Sequence, residues 1–203
     1  GYRGSGQGET GKETPVKCFI IIGMPAAGKD IARQFARTNG YPYFATGDIV
    51  RAEAACRGVA PDAESMGTLS TELRGCDGLG VTRMALKAAL ETGAPVVFLE
   101  GIRSRREIDL IGTQAETVVV AFLSPRALRR ERVISRGRPD DSAAAFDTRD
   151  RREIDYGLSI PIATADEYVL NTGTMEEALS AFGRIVERHT AARSAHSSDR
   201  PPA

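Results

Sequence analysis

The sequence predicts an α/β domain in which helices cover both faces of a parallel sheet and a phosphate-binding loop follows the first strand. Three observations carry this expectation. Short runs of β-branched and aromatic residues alternate with segments of helical period, the pattern of parallel strands joined by helices. The runs are continuously apolar, as strands buried on both faces are. The first of them, VKCFIII, leads directly into GMPAAGKD at residues 23–30, and a helical segment begins behind it.

Five runs are strand candidates: VKCFIII (16–22), the weaker YPYFA (41–45), PVVFLE (95–100), TVVVAFL (117–123) and EYVL (167–170). Between them, Ile31 and Phe35 stand one helical turn apart after the glycine loop. Val81, Met84, Ala85 and Ala88 follow the i, i+3, i+4, i+7 rule of a buried helical stripe. Ser124 and Pro125 open a further helix as N-cap and first residue. In the last helix Met175, Ala178, Leu179, Phe182, Ile185 and Val186 share a stripe, with Thr174 as N-cap and Glu177 completing a capping box. Residues 58–80 carry no assignable pattern. The glycine-rich segment 1–15 and the Ser-, Arg- and Pro-containing segment 191–203 are expected to be disordered tails, leaving one domain at 16–190. Ligands are expected at the carboxyl ends of the strands.

Composition narrows the function classes. A chain of 203 residues, 41% hydrophobic and of zero formal net charge, fits one domain with its own core. It gives no sign of a nucleic-acid partner or an acidic membrane. Three cysteines without CxxC spacing imply neither a disulfide framework nor a zinc site, and point to a reducing, cytoplasmic setting. The longest apolar run is too short to span a bilayer, and the first residues lack the hydrophobic region of a signal peptide. Lysine occurs only at Lys12, Lys17, Lys29 and Lys87, so the cations are nearly all arginine. Arginine suits two-point capture of phosphate, although a genome rich in G and C would produce the same bias.

The loop carries the chemistry. In G-x-x-x-x-G-K-[ST], backbone N–H groups of a glycine-permitted turn converge on phosphate oxygens, the lysine supplies charge, and the hydroxyl ligates magnesium. Gly23, Gly28 and Lys29 occupy the required places, with Met24, Pro25, Ala26 and Ala27 between them and Ile31 opening the helix. Asp30 replaces the hydroxyl. A carboxylate there can ligate magnesium itself, or point outward and favour the helix N-terminus; both readings stay open.

GMPAAGK together with ATGDIVR at residues 45–51 resembles the adenylate kinase group of nucleoside monophosphate kinases, where GxPGxGKG is followed by TGDxxR. The resemblance implies that Thr46 and Arg51 meet the acceptor, with Arg51 on its phosphate. A helix beginning near Asp48 would present Arg51 about one turn in, although Thr46 or Asp48 could equally be a helix cap beside a solvated arginine. FLEGIRS at 98–104 resembles the DGFPR segment of those kinases, with Glu for Asp and Arg103 one residue closer. Glu100, at the end of a buried strand, is the candidate to hold a water of the magnesium shell. In SPRALRRERVISRGRPDDSAAAFDTRDRRE, residues 124–153, Arg129, Arg132 and Arg136 fall on one helix face. By the resemblance, an arginine pair leads into a mobile lid and an R-x-D-D segment with a later arginine leads out. Arg132, Arg136, Arg138, Asp140, Asp141 and Arg149 reproduce both, but Arg136 and Arg138 are almost adjacent, so the lid is short.

The combination with RDRRE and ADEYVLNTGTMEE is similar to a largely archaeal family of nucleotide-kinase-like P-loop proteins related to adenylate and dephospho-CoA kinases. This implies a three-layer α/β/α P-loop fold with a five-stranded parallel sheet, nucleoside monophosphate kinase-like. It implies an ATP-dependent, Mg2+-requiring phosphotransferase acting on a nucleotide or nucleotide-like acceptor. Lys29, Arg132, Arg136, Arg138 and Arg149 would then stabilise the moving phosphoryl group, and Thr46, Asp48, Arg51 and Arg103 would hold the acceptor. Asn171, Thr172 and Gly173 would lie near the donor adenine, although a turn and helix cap explains them equally well. Three alternatives stand: a dephospho-CoA kinase with Asp48 as base, an ATP-driven switch without a small-molecule acceptor, and, because of Asp30, a degenerate nucleotide binder without turnover. No oligomeric state is predicted.

Overall fold

Five strands form one parallel sheet in the order β2-β3-β1-β4-β5. The computed structural model describes residues 15–137 and 141–197. In chain order the elements are β1 (Lys17–Ile22), α1 (Asp30–Thr38), β2 (Tyr43–Ala45), α2 (Thr46–Arg57), α3 (Ala63–Arg74), α4 (Gly80–Glu91), β3 (Val96–Glu100), α5 (Arg105–Gly112), β4 (Glu116–Leu123), α6 (Arg126–Arg136), α7 (Ala143–Asp155), α8 (Ser159–Ala163), β5 (Glu167–Leu170) and α9 (Met175–Ser197).

Side-chain alternation along the central strands builds two cores, one on each face. Phe19 and Ile21 of β1, with Phe98 of β3 and Val120 and Phe122 of β4, pack against Ile31 and Ala32 of α1 and Phe182 of α9. Cys18, Ile20 and Ile22 point the other way, against Ala85 and Leu86 of α4 and Ile108 and Ile111 of α5. Every residue of β1 is buried, as its continuous apolar run requires.

Several local expectations are corrected. EYVL is an edge strand rather than a strand buried on both faces: Tyr168 and Leu170 are exposed. The buried stripe of α4 keeps Val81 and Ala85 but adds Thr82, Leu86 and Ala89, so Met84 and Ala88 lie at its margin. Met175 is exposed, whereas Ala178, Phe182, Ile185 and Val186 are core. Helix α6 begins at Arg126 with Pro125 as N-cap residue, because the Ser124 hydroxyl is committed to the Asn171 carbonyl, 2.6 Å away. The Thr174–Glu177 capping box forms as expected. Helix α9 runs on through Ser197, into the segment expected to be a tail.

The unassigned stretch 58–80 contains α3, capped by the Asp62 side chain on the Ser65 N–H. With α2 and α4 it builds a small satellite core of Val50, Ala54, Leu69 and Val81, flanked by Met66 and Leu73. This lobe overhangs the carboxyl end of β2 and β3. Among the described residues, no helix is long and apolar enough to cross a membrane.

Burial pushes the Cys18 thiol up to about 12, while Cys56 and Cys76 are exposed. Thiolate is the reactive form. A thiol-reactive chromophore is therefore expected to label two cysteines promptly in the native protein and the third only on unfolding. Prompt labelling of all three would contradict the packing of β1.

Candidate active site

The loop between β1 and α1 sits at the carboxyl ends of the central strands. Asn171, buried at the end of β5, donates its side-chain N–H to the Ala27 carbonyl at 2.9 Å, and a Cβ on Gly28 would lie 2.1 Å from that amide nitrogen. Gly28 also takes φ +106°, so only glycine fits there. Ala26 adopts φ 59°, a left-handed conformation that a Cβ disfavours by about 1–2 kcal/mol. Its carbonyl accepts from Arg132 at 3.3 Å, which helps to hold that turn. Among the described residues, the backbone N–H groups of Gly28, Lys29 and Asp30 make no hydrogen bond. Unpaired donors at a helix N-terminus, with a lysine beside them, form a phosphate cradle.

Lys29 directs its ammonium back across the loop, onto the carbonyls of Gly23 at 2.8 Å and Met24 at 3.3 Å. Burial lowers its pKa, and the carboxylates of Glu100 and Glu153 oppose that shift. Asp30 is exposed in the first turn of α1.

Two clefts meet at Lys29 and Glu100. One, of about 570 Å³, is bordered by Gly28, Asp30, Arg132, Arg136, Asn171 and Gly173. The other, of about 250 Å³, is bordered by Arg33, Thr46, Arg51, Arg103 and Glu153. The two clefts thus lie on either side of the loop lysine.

The smaller cleft is held by paired charges. Asp48 binds Arg33 at 2.8 Å and also Arg51. Partial burial works against the Asp48 carboxylate, but the hydrogen bonds from Arg51 and Arg33 outweigh it and hold the carboxyl below its ordinary range. Glu153, buried on α7, takes the Arg103 guanidinium at 2.6 and 3.3 Å. Thr46 Oγ1 donates to the Gly101 carbonyl at 3.3 Å, and a Cβ on Gly101 would strike that hydroxyl at 2.1 Å. Glu100 Oε2 accepts from the Tyr43 hydroxyl at 2.8 Å and from Arg33 at 3.4 Å. Burial, with the Glu100 carboxylate beside it, pushes the Tyr43 phenol up, so it stays a donor. Among the described residues, no three His, Cys, Asp or Glu side chains converge as a metal cluster.

The arginines of α6 and α7 divide in role. Arg129, which shares a helix face with Arg132 and Arg136, is buried: it binds both oxygens of Asp150 and the carbonyls of Pro25 and Ser124. Arg132 lies beside the larger cleft and braces the loop through Ala26, the Ser124 hydroxyl and the Asn171 carbonyl at 2.9 Å. Arg136 reaches the same cleft and pairs with Asp141 at 2.6 and 2.7 Å, and Arg149 meets that carboxylate at 3.0 Å. Arg138 and Asp140 lie outside the described residues. Helix α6 ends on left-handed Gly137 and Ser142 caps α7, so the connection is short. Asn171, weighed as an adenine contact, fastens the loop.

Sequence reasoning did not single out Arg33, Tyr43 or Glu153. Arg33 stands one helical turn beyond Lys29, a spacing that places both on one face. Tyr43 and Glu153 gave no comparable signal, because their partners Glu100 and Arg103 are distant in the chain.

A parallel sheet of this order, a lysine-tipped phosphate loop and two clefts joined at it define a P-loop kinase-like protein. A family model described as an AAA domain matches residues 22–147. A UPF0200 protein of Hyperthermus butylicus is 35% identical over 176 residues, covering 85% of this chain and 94% of its own. The chain belongs to the UPF0200 family, whose other members here are archaeal proteins. Among solved structures, TT1252 from Thermus thermophilus superposes with a TM-score of 0.65 at 19% identity, covering 87% of this chain and 98% of that one. Shikimate kinase from Bacteroides thetaiotaomicron does so with a TM-score of 0.56 at 15% identity, covering 86% and 99%. These two likenesses concern the fold.

Proposed function

We propose that the protein is an ATP-dependent kinase that transfers a phosphoryl group to a phosphorylated small molecule of nucleotide type. The observation that carries this is the second cleft: Arg33, Arg51 and Arg103 face the phosphate cradle from the side opposite the donor. A hydrolase needs only a water there, whereas three guanidinium groups suit an anionic acceptor.

ATP with magnesium supplies the phosphoryl group and the charge that balances it. The cradle of residues 23–31 holds the phosphates, and Lys29 lies where charge develops during transfer. Asp30 and Glu100 would hold magnesium, directly or through water, and so few carboxylates suit an ion that keeps several waters. Arg132 keeps the cradle in shape, and Arg136 lines the donor side, with Arg149 held behind it on the same Asp141 carboxylate. Thr46 orders the wall that carries Arg103. Asp48 is a brace for Arg33 and Arg51, and its lowered pKa is the opposite of what a general base requires. This disfavours a dephospho-CoA kinase that relies on Asp48, and a phosphate acceptor needs no strong base.

Arg51→Ala is expected to raise the acceptor KM by about 10–100-fold, the worth of a charged hydrogen bond. Steady-state ATP consumption titrated with phosphorylated acceptors checks this. An ATPase rate that no acceptor stimulates, and that Arg51→Ala leaves as it was, would replace the kinase with an ATP-driven switch.

A further inference from the structure

The acceptor cleft continues under α3 into a space of about 410 Å³ that carries more positive charge than one acceptor phosphate uses. Arg51 and Arg103 border both spaces, and each already has a carboxylate, Asp48 and Glu153 respectively. The far space adds Arg74 from α3 and Arg152 from α7. Among the described residues, neither of these makes an ion pair. The carboxylate nearby, Glu107, is committed elsewhere: it accepts from the Thr82 hydroxyl at 2.7 Å and from the Ser104 hydroxyl and the N–H groups of Arg103 and Ser104. Arg74 is also ordered. Its guanidinium lies 5.1 Å over the Tyr156 ring, which Arg103 approaches at 5.7 Å, so one aromatic side chain holds both cations. Cations gathered in one cleft repel unless an anion lies between them.

We infer that the acceptor carries a second anionic group, a phosphate or a carboxylate distinct from the phosphate that receives the transfer, and that Arg74 and Arg152 bind it. Val50, Met66 and Val81 line the same space and suit the carbon skeleton joining the two anions. A plain nucleoside monophosphate would present a neutral base there and leave both arginines unanswered. The inference rests on the kinase reading for the role of the first phosphate; the preference for two anions is a property of binding alone.

The test is calorimetric titration of the full chain, with magnesium and a non-hydrolysable ATP analogue, using matched ligand pairs. Adenosine 5′-monophosphate is compared with adenosine 3′,5′-bisphosphate, and uridine 5′-monophosphate with orotidine 5′-monophosphate. The first pair adds a phosphate and the second a carboxylate. In at least one pair the doubly anionic member is expected to bind about tenfold tighter or more, and the responding pair names the second group. Arg74→Met combined with Arg152→Met is expected to bring that ratio toward one, while Arg74→Lys, which keeps the charge, retains most of it. Equal affinities within both pairs, or a ratio that survives the double substitution, would overturn the inference. Phosphoryl transfer to the same ligands is scored separately. Transfer without a two-anion preference leaves the kinase and removes this site, whereas preference without transfer keeps the site and removes the kinase.

Discussion

Lys29→Met is expected to reduce phosphoryl transfer by about 10²–10³-fold, the loss that follows removal of one preorganised group aimed at developing charge. The methionine keeps most of the length and the apolar stem, so the loop loses the ammonium and little else. Its only polar contacts among the described residues are the carbonyls of Gly23 and Met24, both at the mouth of the cradle. Removing a charge that burial already disfavours should not unfold the protein. The pair of measurements is kcat with saturating ATP and the thermal midpoint of the same sample. Full activity in Lys29→Met would mean that other cations neutralise the transferred group, with Arg136 of the donor cleft the first to examine.

Arg129→Met is expected to cost about 3 kcal/mol of folding stability, because it leaves the buried Asp150 with only its longer contact to the exposed Arg126, 3.5 Å away. Both side chains are nearly inaccessible, at 6% and 7% exposure. The guanidinium also ties α6 to the Pro25 carbonyl, so the phosphate loop should loosen together with the α6–α7 pair. Urea unfolding with an unchanged m-value would measure the loss. The change at Arg130, the exposed next residue of α6, serves as comparison and should cost within about 0.5 kcal/mol. Equal small effects at both positions would show that Arg129 is not a structural clamp.

The contrast between Lys29 and Arg129 shows what the sequence could and could not reveal. Lys29 is legible because its role is set by neighbours in the chain: strand before, helix after, glycines at fixed spacing. The central strands are legible for the same reason, since burial on both faces demands an unbroken apolar run. Arg129 shares a helix face with Arg132 and Arg136, and spacing alone does not tell the three apart. What separates it is Asp150, which comes from another helix and meets it only after folding. Glu153 and Tyr43 were missed on the same physical ground. Helix α3 was hidden because Met66, Leu69 and Leu73 are few, Gly67 interrupts them, and their core is a small satellite shared with α2 and α4. Strand β5 misled in the other direction: its apolar Tyr168 and Leu170 sit at a sheet edge, where composition does not report burial.

The most direct measurement is transfer of the labelled γ-phosphate of ATP, with magnesium, to a panel of nucleoside monophosphates, bisphosphates and dephospho-CoA, with Lys29→Met as the blank. Label carried by an acceptor that already bears phosphate, and lost in the blank, is the expected result. Label appearing solely as free phosphate, at a rate no acceptor changes, would contradict the assignment of the arginine-lined cleft to an acceptor.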